Sequence, residues 1–272
     1  MTYMNDIYKK VKIDWTRFFI ETDDCQNDSP IEFEVMPEDY LDFAKNNIRK
    51  SDLQNCIDGI SNAKRAIECQ IDLLISTLGF DYKKFDSRNN YPHVKDFIKK
   101  YYKEQQYDGL TDRLKLLNIL GLAPTLLISN IRKLRNLIEH EYKKISYEDV
   151  KVAVEVADLF INASNRKLCF SPTSLSIGNN KKNKGKIGFE YYYIDVPFLE
   201  IIFRIYHSTD TVRLRCITTE GEEKNFNSFY ELKPDDKFYI DFIYCLLSNE
   251  YTILPQIFDC NIGVEYINYE FI

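Results

Sequence analysis

With 272 residues, 44% of them hydrophobic and 29% charged, the chain is long enough to bury one large core or two ordinary ones, and we expect two domains. A net charge of −6 excludes a nucleic-acid-binding protein that works by bulk positive charge. Nine glycines and eight prolines exclude long disordered stretches, and no run approaches the ~20 apolar residues of a membrane span.

Met1 to Lys12 has no apolar stretch of signal-peptide length, so the expected location is the cytoplasm, with no membrane association. The seven cysteines are odd in number and form no Cys-x-x-Cys pair, so free thiols in a reducing compartment are expected, with no metal site. Nothing in the sequence calls for a cofactor. Residues 1–168 carry 26 Lys/Arg against 27 Asp/Glu, and the remaining 10 basic and 15 acidic residues make the tail more negative. Any recognition of phosphate must therefore come from a local cluster.

An apolar patch, Trp15 to Ile20, opens the chain, and an acidic stretch from Glu21 to Asp42 reads as a solvated loop. Pro37, with Glu38 and Asp39 behind it, predicts a helix start, because proline's fixed φ suits the first turn and acids suit its positive dipole end. That helix is expected to run to about Lys50. Ser51 or Asp52 is placed to cap a longer one, in which Ile57, Ile60, Ile67, Ile71, Leu74 and Leu78 recur at three- and four-residue spacing until Gly79. Asp81 to Asn90 reads as a turn, and Tyr91-Pro92 opens a helix with Val94, Phe97, Ile98 and Tyr101 on one face. Thr111 is placed to cap a short helix ending near Gly121, and Pro124 to start a strong one with a seam of Leu127, Ile131, Leu134 and Ile138. Ser146 with Asp149 resembles the capping arrangement of a last helix through Ile161. An antiparallel helical bundle is the simplest way to bury these faces.

Composition shifts at Ser171. The expected organisation is a helical domain over 1–168, a linker over 169–186 rich in Ser, Asn, Lys and Gly, and a small β-rich or α+β domain over 187–272. In that tail, Phe189–Val196, Ile201–Tyr206 and Val212–Thr218 read as strands, Ser208–Asp210 and Glu220–Glu222 as turns, and the run after Pro234 as a helix or a strand.

The most informative segment is Arg132-Lys-Leu-Arg-Asn-Leu-Ile-Glu-His-Glu-Tyr142. On a helix, Arg132, Asn136 and His140 form an i, i+4, i+8 stripe, and Arg135 and Tyr142, seven apart, project nearly together. A guanidinium fork grips phosphate and stabilises transition-state charge, and an imidazole moves protons near neutral pH. The competing reading is an ordinary Arg135–Glu139 surface pair with His140 set against the helix dipole. His93 at a helix start and His207 at a turn have no ligand-spaced partner, and the Tyr191–Tyr193 run is expected to pack in a strand rather than stack bases.

Arg135-Asn136-x-x-x-His140, extended by Glu141-Tyr142, resembles the Arg-x4-His-x-Tyr motif of the HEPN superfamily, helical-bundle proteins that include many metal-independent ribonucleases, in the form found in toxins paired with MNT nucleotidyltransferase antitoxins. The resemblance spans about residues 37–166, with its specific part confined to eight of them. It implies a HEPN-like bundle, an RNA substrate, a homodimer that brings two motifs to one cleft, and Arg135 and His140 as the catalytic pair with Asn136 and Arg132 in support. It further implies an MNT partner and Tyr142 as the residue such a partner modifies. The family also contains noncatalytic RNA- or protein-binding members, which is the alternative expectation. The C-terminal extension beyond the linker has no counterpart in the compact paired toxins.

Overall fold

The structure, a computed structural model, describes residues 11–23, 33–87, 90–102, 110–179, 183–187, 190–194, 198–204, 211–217 and 229–271. The fold is mainly α with a small sheet. The chain forms two compact units, one helical over 29–169 and one containing the sheet, built from 1–28 together with 170–272.

Capping chemistry sets the helix boundaries of the helical unit. Helix α1 (Pro37–Asn47) starts at its proline, with Asp39 reaching back to the Met36 N–H at 2.8 Å. It ends three residues before the expected Lys50. Helix α2 (Leu53–Thr77) is capped by Asp52, whose carboxylate accepts the Asn55 N–H at 3.0 Å, and the chain leaves it through Gly79 at φ 85°. Helices α3 (Pro92–Tyr101) and α4 (Asp112–Ile119) follow, the latter capped by Thr111. Helix α5 (Thr125–Glu141) precedes α6 (Tyr147–Cys169), where the Ser146 hydroxyl accepts the Asp149 N–H at 3.1 Å.

Side-chain pairings across the helices fix their directions. Glu38 bonds Asn165, Lys45 meets Asp158 at 2.9 Å, and Tyr147 donates to the Ile48 carbonyl, so α1 runs antiparallel to α6. Gly59 lies against Val150, whereas Gln70 bonds Ser164 and Asn165, so α2 and α6 run parallel. The expectation of a wholly antiparallel bundle is corrected here, because the α3–α5 excursion returns the chain to the end of α2 where α2 began. Buried Ile60, Ile67, Ile71 and Leu74 of α2 and Val150, Val154, Ala157, Phe160 and Ile161 of α6 supply the centre of this core.

Gly121 closes α4 at φ +67°, and Lys167 of α6 donates to the Leu120 and Gly121 carbonyls at 2.8 and 3.3 Å. Burial lowers the Lys167 pKa, while the carbonyl end of α4 faces its charge. A Cβ at Gly121 would meet the Lys167 ammonium at 2.5 Å. Gly121→Ala is therefore expected to cost about 1–2 kcal/mol from the left-handed backbone alone, read as a lower urea midpoint at unchanged m-value.

The seam expected on α5 is only partly buried. Ile131 is in the core, but Leu127 is 38% exposed and Leu134 and Ile138 are half-buried. The helix turns Thr125, Ile128, Ser129 and Ile131 inward instead, so its apolar stripe is rotated away from the packed side.

The sheet has the order β7-β6-β5-β2-β1-β8. It comprises β1 (Phe18–Asp23), β2 (Ser174–Gly178), β5 (Phe198–Arg204), β6 (Thr211–Ile217), β7 (Phe229–Leu232) and β8 (Tyr269–Phe271). Its pairs are antiparallel except β1 with β8. A separate antiparallel pair joins β3 (Asn183–Ile187) to β4 (Glu190–Ile194). Helices α7 (Tyr239–Ser248) and α8 (Leu254–Ile257) complete the unit. One sheet face is apolar and buried, with Phe18 and Ile20 beside Leu175 and Ile177 and then Leu199, Ile201 and Phe203.

Two boundaries differ from the sequence reading. Residues 1–28 belong with the C-terminal unit rather than with the helices, because β1 pairs with β2 more than 150 residues away. The stretch 169–186 contains the end of α6, a buried strand and most of β3, so a linker reading does not describe it. The tail's helix after Pro234 is a helix, whereas the turns at 208–210 and 220–222, together with His207, lie outside the described residues. Side chains of Tyr191–Tyr193 also lie outside the description, although their backbone is strand.

Among the described residues no helix is long and apolar enough to cross a membrane. Cys56, Cys69, Cys169, Cys245 and Cys260 are free thiols. Burial, reinforced by Asp72, Glu38 and Asp39, pushes the Cys69 thiol up to about 11, so it is not a ready nucleophile.

Candidate functional site

Helix α5 carries Arg132 to Glu141 over its last turns, and Tyr142 follows as its cap. Arg132, Asn136 and His140 do form a stripe, and exposure increases along it, from half-buried Arg132 to exposed Asn136 and His140. This follows from how α5 packs. Its first half leans on the bundle through Ile128 and Ile131, and its second half leaves the core.

Arg132 points towards α2, with Nη2 4.0 Å from the Glu68 carboxylate, which Lys64 also holds at 2.5 Å. Its Nε is buried with no hydrogen-bond partner among the described residues. Arg135, 27% exposed, is paired with Glu139 one turn further along the same helix. That is the contact anticipated by the ion-pair reading, and it occupies the guanidinium that would grip a phosphate. Lys143 and Glu141 pair at 2.6 Å. Three of the five basic residues between Arg132 and Lys144 are thus matched by carboxylates, leaving Lys133 and Lys144 with no ion pair among the described residues.

Tyr142 corrects the helical-wheel expectation. It does not continue the helix and so does not stack in register with Arg135. It turns to φ 55°, and the Lys143 N–H closes onto the Leu137 carbonyl at 3.1 Å, ending α5 in a Schellman-type cap. The phenol is consequently 89% exposed, at the tip of the α5–α6 connection.

The apolar stripe of α5, with Leu127, Leu134 and Ile138, lies beside this polar flank and stays partly open. Basic Arg132, Lys133 and Arg135 precede acidic Glu139 and Glu141 along the helix, so charge runs from positive to negative towards its end. Sequence reading placed Arg132, Arg135, Asn136 and His140 on one helix but missed Glu68. No local signal could have found it, because it lies on another helix 64 residues earlier. No cluster of three or more His, Cys, Asp or Glu among the described residues is arranged to hold a metal ion. His93 is half-buried at the start of α3 and packs edge-on to Tyr91 at 6.5 Å.

No family model matches the chain, and neither curated proteins nor solved structures provide a match.

Proposed function

We propose that the protein is an endoribonuclease of HEPN type, cleaving RNA without a metal through Arg135 and His140. The observation that carries the reading is an exposed imidazole at the end of a polar Arg132–Asn136–His140 stripe, with Arg135 on the same helix. In the reaction the 2′-hydroxyl oxygen bonds to the adjacent phosphorus while the P–O5′ bond breaks. One imidazole removes the 2′-proton, a second delivers a proton to the departing 5′-oxygen, and the products are a 2′,3′-cyclic phosphate and a 5′-hydroxyl. Arg135 stabilises the charge that accumulates on the phosphoryl oxygens, with the RNA phosphate taking the place of the Glu139 carboxylate.

A homodimer would supply the second imidazole. The half-open apolar stripe of α5 supports this as a surface for a second copy to cover. Exposure of the Tyr142 hydroxyl supports its assignment as the site that an MNT partner would adenylylate, adding charge and bulk beside the cleft. A role as a toxin or antiphage effector would follow from such a pairing.

A second reading, a noncatalytic RNA- or protein-binding module, is favoured by the Arg135–Glu139 pair. Incubation with single-stranded RNA in EDTA separates the two. The nuclease reading expects cleavage that leaves cyclic phosphate ends and spares a 2′-deoxy strand. Intact RNA would favour the module, and equal cutting of the deoxy strand would contradict attack by the 2′-hydroxyl.

A further inference from the structure

Ion pairs engage Arg132, Arg135 and Lys143 of the motif, so it is poorly suited to holding a long polyanion unaided. A second excess of positive charge lies elsewhere in the helical unit. Between Asp81 and Glu104 there are seven Lys or Arg against four Asp or Glu, and four tyrosines, in a chain whose net charge is −6. Among the described residues of this stretch, Lys83, Lys84, Lys99 and Lys100 are exposed and Lys95 is half-buried.

The local acids cancel only part of that charge. Asp86 is engaged by Arg113 at 2.7 Å, and Arg113 also bonds Asp72. Burial raises the Asp72 pKa despite the guanidinium, so the Asp72 carboxylate is itself in an unfavourable position. Lys95 donates to the Ser87 carbonyl, an uncharged partner. Lys99 meets Asp96 at 3.3 Å and Lys84 meets Asp81 at 3.1 Å in i,i+3 surface pairs, weak enough to be exchanged for an incoming phosphate, with the lysines 78% and 71% exposed. Tyr82 and Tyr101 are half-exposed, with Lys83 and Lys100 over their rings at 5.6 and 4.7 Å.

Packing on α3 explains why the lysines gather on one side. Val94, Phe97 and Ile98 face the core, which leaves Lys99 and Lys100 on the outer arc of the helix with Asp96 between them and Lys95 on its flank. The turn before the helix folds back beside it through the Lys95–Ser87 bond and an Asn90 side-chain bond to the Lys84 carbonyl at 3.0 Å, bringing Lys83 and Lys84 to the same neighbourhood. The surface is also connected to the motif helix. Asp86, Arg113 and Asp72 link it to α2, and one turn earlier on α2, about 6 Å away, Glu68 faces Arg132.

We infer that the turn at Tyr82–Ser87 and the outer face of α3 form a docking surface for single-stranded RNA. Exposed lysines hold successive phosphates of the strand. The choice of RNA as the occupant rests on the nuclease reading above. Charge complementarity with a phosphate backbone carries the surface itself.

The test is anisotropy with a labelled single strand of 2′-O-methyl RNA, which lacks the attacking hydroxyl and therefore reports binding by the full chain without cleavage. Lys95→Glu/Lys99→Glu is expected to weaken binding at least about tenfold near 0.1 M salt and to flatten the dependence of log K on log salt by about 1.4, at ~0.7 per lost phosphate contact. Lys83→Glu/Lys84→Glu, which leaves the Lys95–Ser87 bond in place, is expected to act in the same direction. Lys233→Glu/Lys237→Glu, with an equal charge change outside the helical unit, should leave affinity and slope unchanged. Wild-type binding by both lysine pairs near α3, or an equal loss from the control pair, would overturn the inference. So would displacement of the RNA by poly-glutamate as effectively as by unlabelled RNA, since the surface would then accept any polyanion. If the lysine pairs lose binding while unmodified RNA is never cut, the docking surface stands and the nuclease reading fails. Cutting with unaltered binding by the lysine variants gives the reverse result.

Discussion

His140→Ala is expected to lower the rate of RNA cleavage by about 10²–10⁴-fold, the usual contribution of a positioned acid–base group. The loss should appear in kcat, with KM little changed, for a structural reason. His140 is exposed on the last turn of a helix whose buried contacts all come from its first half, so removing the imidazole disturbs neither the core nor the Lys83–Lys100 surface. A fall in stability accompanying the fall in rate would point to a structural role for the side chain. Truncating an exposed residue at this position should leave the urea midpoint within about 0.5 kcal/mol of wild type.

Trp15→Ala carries the largest expected change in stability, about 3–5 kcal/mol for removal of a buried aromatic side chain. Its ring is 4% exposed, stacks on Phe258 at 5.8 Å and meets Phe18 edge-on at 5.2 Å. Its carbonyl accepts the Asn268 N–H at 3.1 Å, and Phe18 donates back to the Asn268 carbonyl at 3.2 Å. The residue thus joins the start of the chain to its last strand. Hydrogen exchange should register the loss as reduced protection in Ser174–Gly178, the strand next to β1 in the sheet, and in Phe198–Arg204, the strand beyond it. Loss of protection only within residues 11–23 would contradict the assignment of that segment to the sheet-containing unit.

Helices were legible in the sequence because their signals are local. Proline at the start of α1, Asp52 and Thr111 at caps, and Gly79 and Gly121 at left-handed exits each act within a few residues of the boundary they set. The sheet was harder because its pairings are not local. Trp15 to Ile20 read only as an apolar patch, since nothing near it announces partners at 174–178 and 269–271. β2 was hidden by its composition. Its serines and glycine suggested a linker, yet Leu175 and Ile177 alternate with Ser174 and Ser176 in the period-two pattern of a half-apolar strand.

At the site, the stripe of Arg132, Asn136 and His140 was readable because helical geometry alone creates it. Two features were not. Tyr142 leaves the helix at a position where a nonglycine residue takes the left-handed conformation, and Glu68 reaches Arg132 only through tertiary packing. The lysine-rich surface was overlooked because the local cluster was sought at Arg132–Lys144, where the motif lies, and the lysines of 83–100 carry no motif. A window matched to one turn and one helix would have exposed it.

The central claim is that the helix bearing Arg135 and His140 cuts RNA by attack of the 2′-hydroxyl. The most direct test incubates wild type, Arg135→Ala and His140→Ala, each taken from a single size-exclusion peak, with one defined single-stranded RNA in EDTA, and then identifies the product ends. The account predicts fragments ending in 2′,3′-cyclic phosphate from wild type and almost none from either variant. Equal cleavage by all three proteins, or no cleavage by wild type while the RNA remains bound, would contradict it.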